Sequence, residues 1–257
     1  AYEIRNCDWS SDVCSSDLEK DVEFAVDFMR KTTSGAFKLG LVSMAIPISR
    51  AGMEHAAKYA EGKNIEVVGH ESAPPPTANY APYATKLKNA GANWVLSWAP
   101  WVTEVKTFEA LRQQGWNGKF IAYGHNVAEE ELKRIKDPGL LVMTTNAMYS
   151  DNAPVHGEIQ AAAAGKTKYP HTYLNEGWIA ARAIEAALKK VGWPSSRAKV
   201  AEAMSNLSID VTGLRGGAIA WTPQNHYRRE LYYRVYGWDP ASSSVKIISD
   251  WVNKSVN

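Results

Sequence analysis

The chain has 257 residues with 29 basic and 27 acidic side chains, a formal net charge of +2, and two cysteines. A balance this even, dispersed along the chain, is not the footprint of a nucleic-acid-binding domain; pairs such as Lys189-Lys190 and Arg228-Arg229 read as solvated faces. No apolar stretch approaches the roughly 20 residues a membrane-crossing helix needs, and the length suits one large or two modest domains.

Residues 1–18, AYEIRNCDWSSDVCSSDL, read as a translated sequencing adapter, with the gene itself entering at about Glu19. On that reading the stretch is set aside from the fold, as any artificial leader is. It holds both cysteines (Cys7, Cys14), four acids (Glu3, Asp8, Asp12, Asp17) and one base (Arg5), so residues 19–257 carry 28 basic and 23 acidic groups, net +5, and no thiol. A disulfide, a thiol nucleophile and a cysteine metal site are then excluded. The expectation is that coding sequence upstream, a signal peptide included, is missing.

From residue 38 to 145 short apolar runs alternate with amphipathic stretches. Strands are predicted at 38–44 (KLGLVSM), 65–70 (IEVVGH), 94–98 (WVLSW), 119–123 (KFIAY) and 140–144 (LLVMT). Helices are predicted between them, at 51–61, 80–89, 102–114 and 129–136, with Gly91 and Gly115 where a helix end favours a left-handed residue. Five-residue strands separated by helices of about 8–14 residues argue for βαβ units and a mainly parallel sheet, an α/β fold. Beyond Met148 the pattern changes to three helical stretches, 154–164, 175–191 and 196–207, with no strand expected between them. The middle stretch is apolar around most of its circumference, which predicts a largely buried helix. Strands follow at 214–221, 230–238 and 245–252.

Catalytic signatures are missing from this pattern. There is no G-x-S-x-G elbow, H-E-x-x-H pair, G-x-x-x-x-G-K-[ST] loop or dinucleotide fingerprint. Residues 213–217 (GLRGG) are glycine-rich but precede a strand, so no phosphate cradle follows. The six histidines show no metal-ligand spacing. Neither an enzyme nor a cofactor or metal is expected.

Several passages together resemble type I periplasmic substrate-binding proteins of the branched-chain amino-acid ABC transporter family. They are IEVVGHE within residues 38–71, NYAPYATKLKNAGANWV at 79–95, FEALRQQGW at 108–116, NEGWIAARAIEAALKKVG at 175–192, and 214–226 with 232–251 at the end. The resemblance implies two α/β lobes with parallel sheets, joined by three crossovers and closing on a small molecule. It assigns 19–36 to the end of a first lobe-one segment, 37–145 to lobe two, 146–220 to a return to lobe one, and 221–257 to strands crossing back. The first half of lobe one would be absent, which would leave an apolar face of helix 175–191 exposed. It also implies a periplasmic location, a small-molecule solute and a membrane permease as partners, no nucleic acid, and a monomer when full length. A cytoplasmic ligand sensor on the same fold is the alternative.

Ligands of open α/β sheets lie beyond the carboxyl ends of the strands. That rule nominates Ser49, Trp98, Pro100, Trp101, Tyr123 and His125 as ligand-binding residues. Ser49 reads equally as a polar ligand contact or as the N-cap of helix 51–61. Trp98 and Trp101 can clamp an apolar or aromatic body with their indole N–H groups as donors, or one of them can pack into the lobe core. The 122–126 loop, AYGHN, has no acid before Glu129 to pair with an ammonium, so an aromatic or short carboxylate, an amide or a urea-like solute fits at least as well as an α-amino acid. His226 reads as a structural turn residue.

Overall fold

The structure, a computed structural model, describes residues 12–124, 127–167, 172–224 and 230–255. The chain forms two compact units: residues up to Met143 with Val235–Ile247, and Thr144–Arg234 with the residues from Ile248 on.

In chain order the first unit begins with helix α1 (Asp12–Thr32) and strand β1 (Lys38–Met44). Then come α2 (Pro47–Gly62), β2 (Glu66–Ala73), α3 (Ala81–Asn89), β3 (Trp94–Ser97), α4 (Trp101–Gln113), β4 (Lys119–Tyr123), α5 (Ala128–Ile135) and β5 (Leu140–Thr144). After α6 (His156–Ala163), α7 (Thr172–Val191), α8 (Arg197–Met204), β6 (Leu207–Ile209) and β7 (Ile219–Trp221), the chain closes with β8 (Glu230–Asp239) and β9 (Ser244–Ser255).

The seven-stranded sheet is ordered β2-β1-β3-β4-β5-β8-β9, and the β1–β2, β1–β3, β3–β4 and β4–β5 pairs are parallel. Every residue of β3 and β5 is buried, as expected for parallel strands covered on both faces. Register is set by apolar pairs such as Leu41 opposite Leu96 and Ile121 opposite Leu141. Gly40 lets α3 approach the sheet: a Cβ there would stand 2.9 Å from Leu87 Cδ2. Gly91 and Gly115 take φ of +78° and +75° just past α3 and α4, the left-handed role expected of them.

Two features depart from the sequence reading, the start of α2 and a strand ahead of β7. Helix α1 packs on α2, with Val22, Ala25, Val26 and Met29 buried. Residues 19–36 lie in the compact unit that also holds β1–β4. Leu18 on α1 is buried, with its side chain 3.0 Å from the place a Cβ on Gly52 of α2 would take. Helix α2 starts at Pro47, four residues earlier than predicted, because proline suits the first turn of a helix. The region between α8 and β7 contains a strand, β6, that pairs antiparallel with β7.

In the second unit that two-stranded sheet packs on α7. Its core gathers Val155, Ile159, Ile179, Ala183, Leu207, Ile209, Val211, Leu214 and Ile219. Helix α7 is not largely buried: Ile179, Ala183 and Ala187 face the core, while Ile184 and Leu188 are 48% and 40% exposed. The apolar residues all round the helix outnumber the elements available to cover them among the described residues.

Candidate solute site at the strand ends

The strand order 2-1-3-4-5 makes the chain step outward from β1 to β2 and then back across β1 to β3. The carboxyl ends of β1 and β3 are thus the point where successive connections leave in opposite directions, the usual place for a ligand crevice in such sheets. The segments leaving those ends carry Ser49, Trp98, Pro100 and Trp101, and Tyr123 ends the neighbouring strand β4.

Ser49 closes the base of this point. Its side chain is fully buried; the hydroxyl donates to the Trp98 carbonyl at 2.7 Å and accepts the Met44 N–H at 2.9 Å. It is not the N-cap of its helix, since α2 already begins at Pro47 and Ile46 precedes it. Both hydroxyl roles are used to tie the end of β1 to the end of β3.

Trp98 is half-buried. Its indole N–H donates to Asp21 Oδ2 on α1 at 3.0 Å, and its ring lies 5.4 Å from that of Tyr123, tilted by 45°. The indole donor considered for a ligand is therefore engaged within the protein, while the two half-buried rings lie against each other. Pro100 immediately precedes α4, and its carbonyl accepts the Thr103 N–H at 2.8 Å. Trp101 is half-buried in the first turn, followed by Val102, whose apolar side chain is 61% exposed. His125 lies outside the described residues, as does His226.

Glu104, three residues into α4, was not singled out in the sequence. Its side chain is fully buried, and Oε1 accepts two backbone N–H groups, Ala99 and Tyr123, each at 3.2 Å. Burial pushes this carboxyl well above the usual carboxylate range, more than the two N–H groups pull it down. A fully buried acid held towards its neutral form presents no exposed charge to an ammonium. On sequence grounds a glutamate in a first helical turn reads as an exposed partner of the helix dipole, so nothing local announced its burial. Asp21 was missed for a related reason: it falls on a helix that the sequence reading did not draw.

The described histidines bond within the protein, His55 Nε2 lying 3.2 Å from Glu23 Oε1 on α1. His70 Nε2 lies 3.2 Å from the buried Ser43 hydroxyl, and burial lowers its affinity for a proton. His156 accepts the Ala153 N–H and stacks on Tyr149 at 4.3 Å. Among the described residues no group of three or more His, Cys, Asp or Glu is placed to hold a metal ion.

A family model for periplasmic binding proteins matches residues 13–241. The chain belongs to that periplasmic binding protein family. Solved structures share the fold, at identities low enough that the likeness speaks for the fold alone. A fatty acid ABC transporter substrate-binding protein from Thermomonospora curvata superimposes with a TM-score of 0.73 at 16% identity, over 93% of this chain and 64% of its own. A branched-chain amino acid ABC transporter protein from Thermus thermophilus with bound valine gives 0.71 at 16% identity, over 93% and 66%. A solute-binding protein from R. palustris in complex with 4-hydroxybenzoate gives 0.73 at 17% identity, over 93% and 66%. The chain thus spans just under two thirds of the length of these three proteins. No curated protein matches it. Members of the family are extracytoplasmic solute-binding proteins, and no described helix is long and apolar enough to cross a membrane.

Proposed function

We propose that this chain is part of the extracytoplasmic solute receptor of an ABC importer, that it binds its solute without chemical change, and that it hands the solute to a membrane permease. The observation that carries the reading is the family match over residues 13–241, joined to a pair of aromatic rings at the strand-end switch point. Trp98, Pro100, Trp101 and Tyr123 supply the lining in this reading, with His125 as a further candidate. Ser49, buried with both hydroxyl roles used, is assigned to the scaffold.

The favoured solute is an aromatic carboxylate of hydroxybenzoate type. Flat aromatic side chains suit an aromatic ring. Glu104 is fully buried and held towards its neutral form, so it does not offer the exposed charge that a ligand ammonium needs. The solute bound by the R. palustris neighbour belongs to the same chemical class.

Calorimetric titration with 4-hydroxybenzoate, valine and a medium-chain fatty acid tests the reading. Saturable binding of 4-hydroxybenzoate, with the solute recovered intact, is the expected result. Preference for valine would refute the aromatic assignment, and consumption of any of the three would refute the receptor.

A further inference from the structure

We propose that Glu104 is a positioning residue of the solute site, setting the backbone from which Trp98 and Tyr123 project. The proposal rests on the receptor reading above and deepens it. One oxygen atom, Oε1, accepts the N–H of Ala99, next to Trp98, and the N–H of Tyr123 itself. These two amides lie at the ends of adjacent parallel strands, β3 and β4 (Trp94 opposite Lys119 through Ser97 opposite Ala122), one residue or two beyond the last paired position. Past that point the β3–β4 pairing no longer sets how far apart these two chains stand, Tyr123 being paired with Met143 of β5 instead, and the shared acceptor joins them. The rings carried there are 5.4 Å apart.

A second bond of the same kind acts one strand over. Ser49 joins the Met44 N–H at the end of β1 to the Trp98 carbonyl at the end of β3. Three neighbouring strand ends are thus linked by two fully buried polar side chains. A buried acid is a costly choice for a purely structural acceptor. Its bonds to the amide that follows Trp98 and to that of Tyr123 give the choice a use, because a small change in the spacing of two strand ends is a change in the spacing of the rings.

The test compares the wild-type chain with Glu104→Gln, which keeps an acceptor oxygen, and Glu104→Met, which removes it at similar volume. Amide exchange at Ala99 and Tyr123 and the indole resonance of Trp98 are followed by NMR, and affinity for 4-hydroxybenzoate is measured by calorimetry. Glu104→Gln should match wild type in all three. Glu104→Met should speed exchange at both amides, move the Trp98 resonance and weaken binding about tenfold, the effect of leaving a buried donor unpaired. Should Glu104→Met not fold, Glu104→Asp serves in its place, since its acid is one methylene too short to reach both amides. Unchanged exchange at the two amides overturns the proposal, as does altered exchange with unaltered affinity. If the wild-type chain binds none of 4-hydroxybenzoate, valine and the medium-chain fatty acid, the receptor reading fails separately. The two amides and the Trp98 resonance then still decide whether Glu104 sets the strand ends.

Discussion

The indole N–H of Trp98 donates to Asp21 Oδ2 at 3.0 Å, joining helix α1 to the end of β3 across 77 positions of sequence. Asp21 is only 7% exposed, so the contact is made out of water. A tryptophan that would otherwise swing at the mouth of the sheet is held at its nitrogen by Asp21 and faces Tyr123 with its ring.

Removing that acceptor has a predictable cost. Asp21→Ala should lower the unfolding free energy by about 1–3 kcal/mol, the range for stranding a buried donor, whereas Asp21→Asn should recover part of it through its amide oxygen. Urea unfolding of the two variants beside wild type reads the difference; equal midpoints for Asp21→Ala and wild type would show the bond to be idle.

The buried acid predicts an unusual pH response. Burial raises the folded-state pKa of Glu104 well above its ordinary 4.5, so the folded chain holds this proton more tightly than the unfolded chain. Its contribution is then fully present below about pH 4.5 and is lost as pH rises through the folded value. Glu104→Gln, which cannot ionise, should gain stability relative to wild type as pH rises, and thermal melts from pH 4 to pH 9 check the trend. A difference independent of pH would mean that Glu104 ionises normally.

Gly118 predicts a steric failure. A Cβ there would fall on the Trp116 ring and stand 2.5 Å from the Asn93 carbonyl oxygen, which already accepts the Lys119 N–H at the start of β4. Trp116 cannot easily withdraw, because its indole N–H donates to the Ala92 carbonyl at 2.6 Å. Gly118→Ala should therefore cost about 1–3 kcal/mol, with the loss visible as a lower urea midpoint.

The exposed side of α7 predicts the reverse. Ile184 and Leu188 make an apolar stripe with 48% and 40% of their surfaces in water. Replacing both by glutamate should leave the melting temperature nearly unchanged, within about 0.5 kcal/mol per site, while lowering the binding of a hydrophobic dye. A large drop in melting temperature would place these residues in a packed contact.

Much of the first unit was legible in the sequence because the physics there is local. Strands 38–44, 119–123 and 140–144 coincide with β1, β4 and β5, and the helices between them differ only at their ends. Apolar runs bounded by glycine and proline have one way to sit in a covered parallel sheet. The proposal of a site at the strand ends rests on the same alternation, because the rule for open α/β sheets needs only the strands and their connections.

What the side chains do at those ends was decided by tertiary structure. A serine at position 49 carries the same local information whether it caps a helix, meets a solute or bridges two strands; only the arrival of Met44 and Trp98 on either side selected the bridge. Glu104 has the composition of a surface residue in a first helical turn, and it is buried because α4 lies against two strand ends whose amides need an acceptor. The apolar circumference of α7 likewise stated that the helix has much to bury, but which side meets the core depended on where β6 and β7 pack. Periodicity and turn chemistry act over a few residues and are written into the chain. Hydrogen-bond partners 19 to 77 positions apart exist only once the sheet has brought them together.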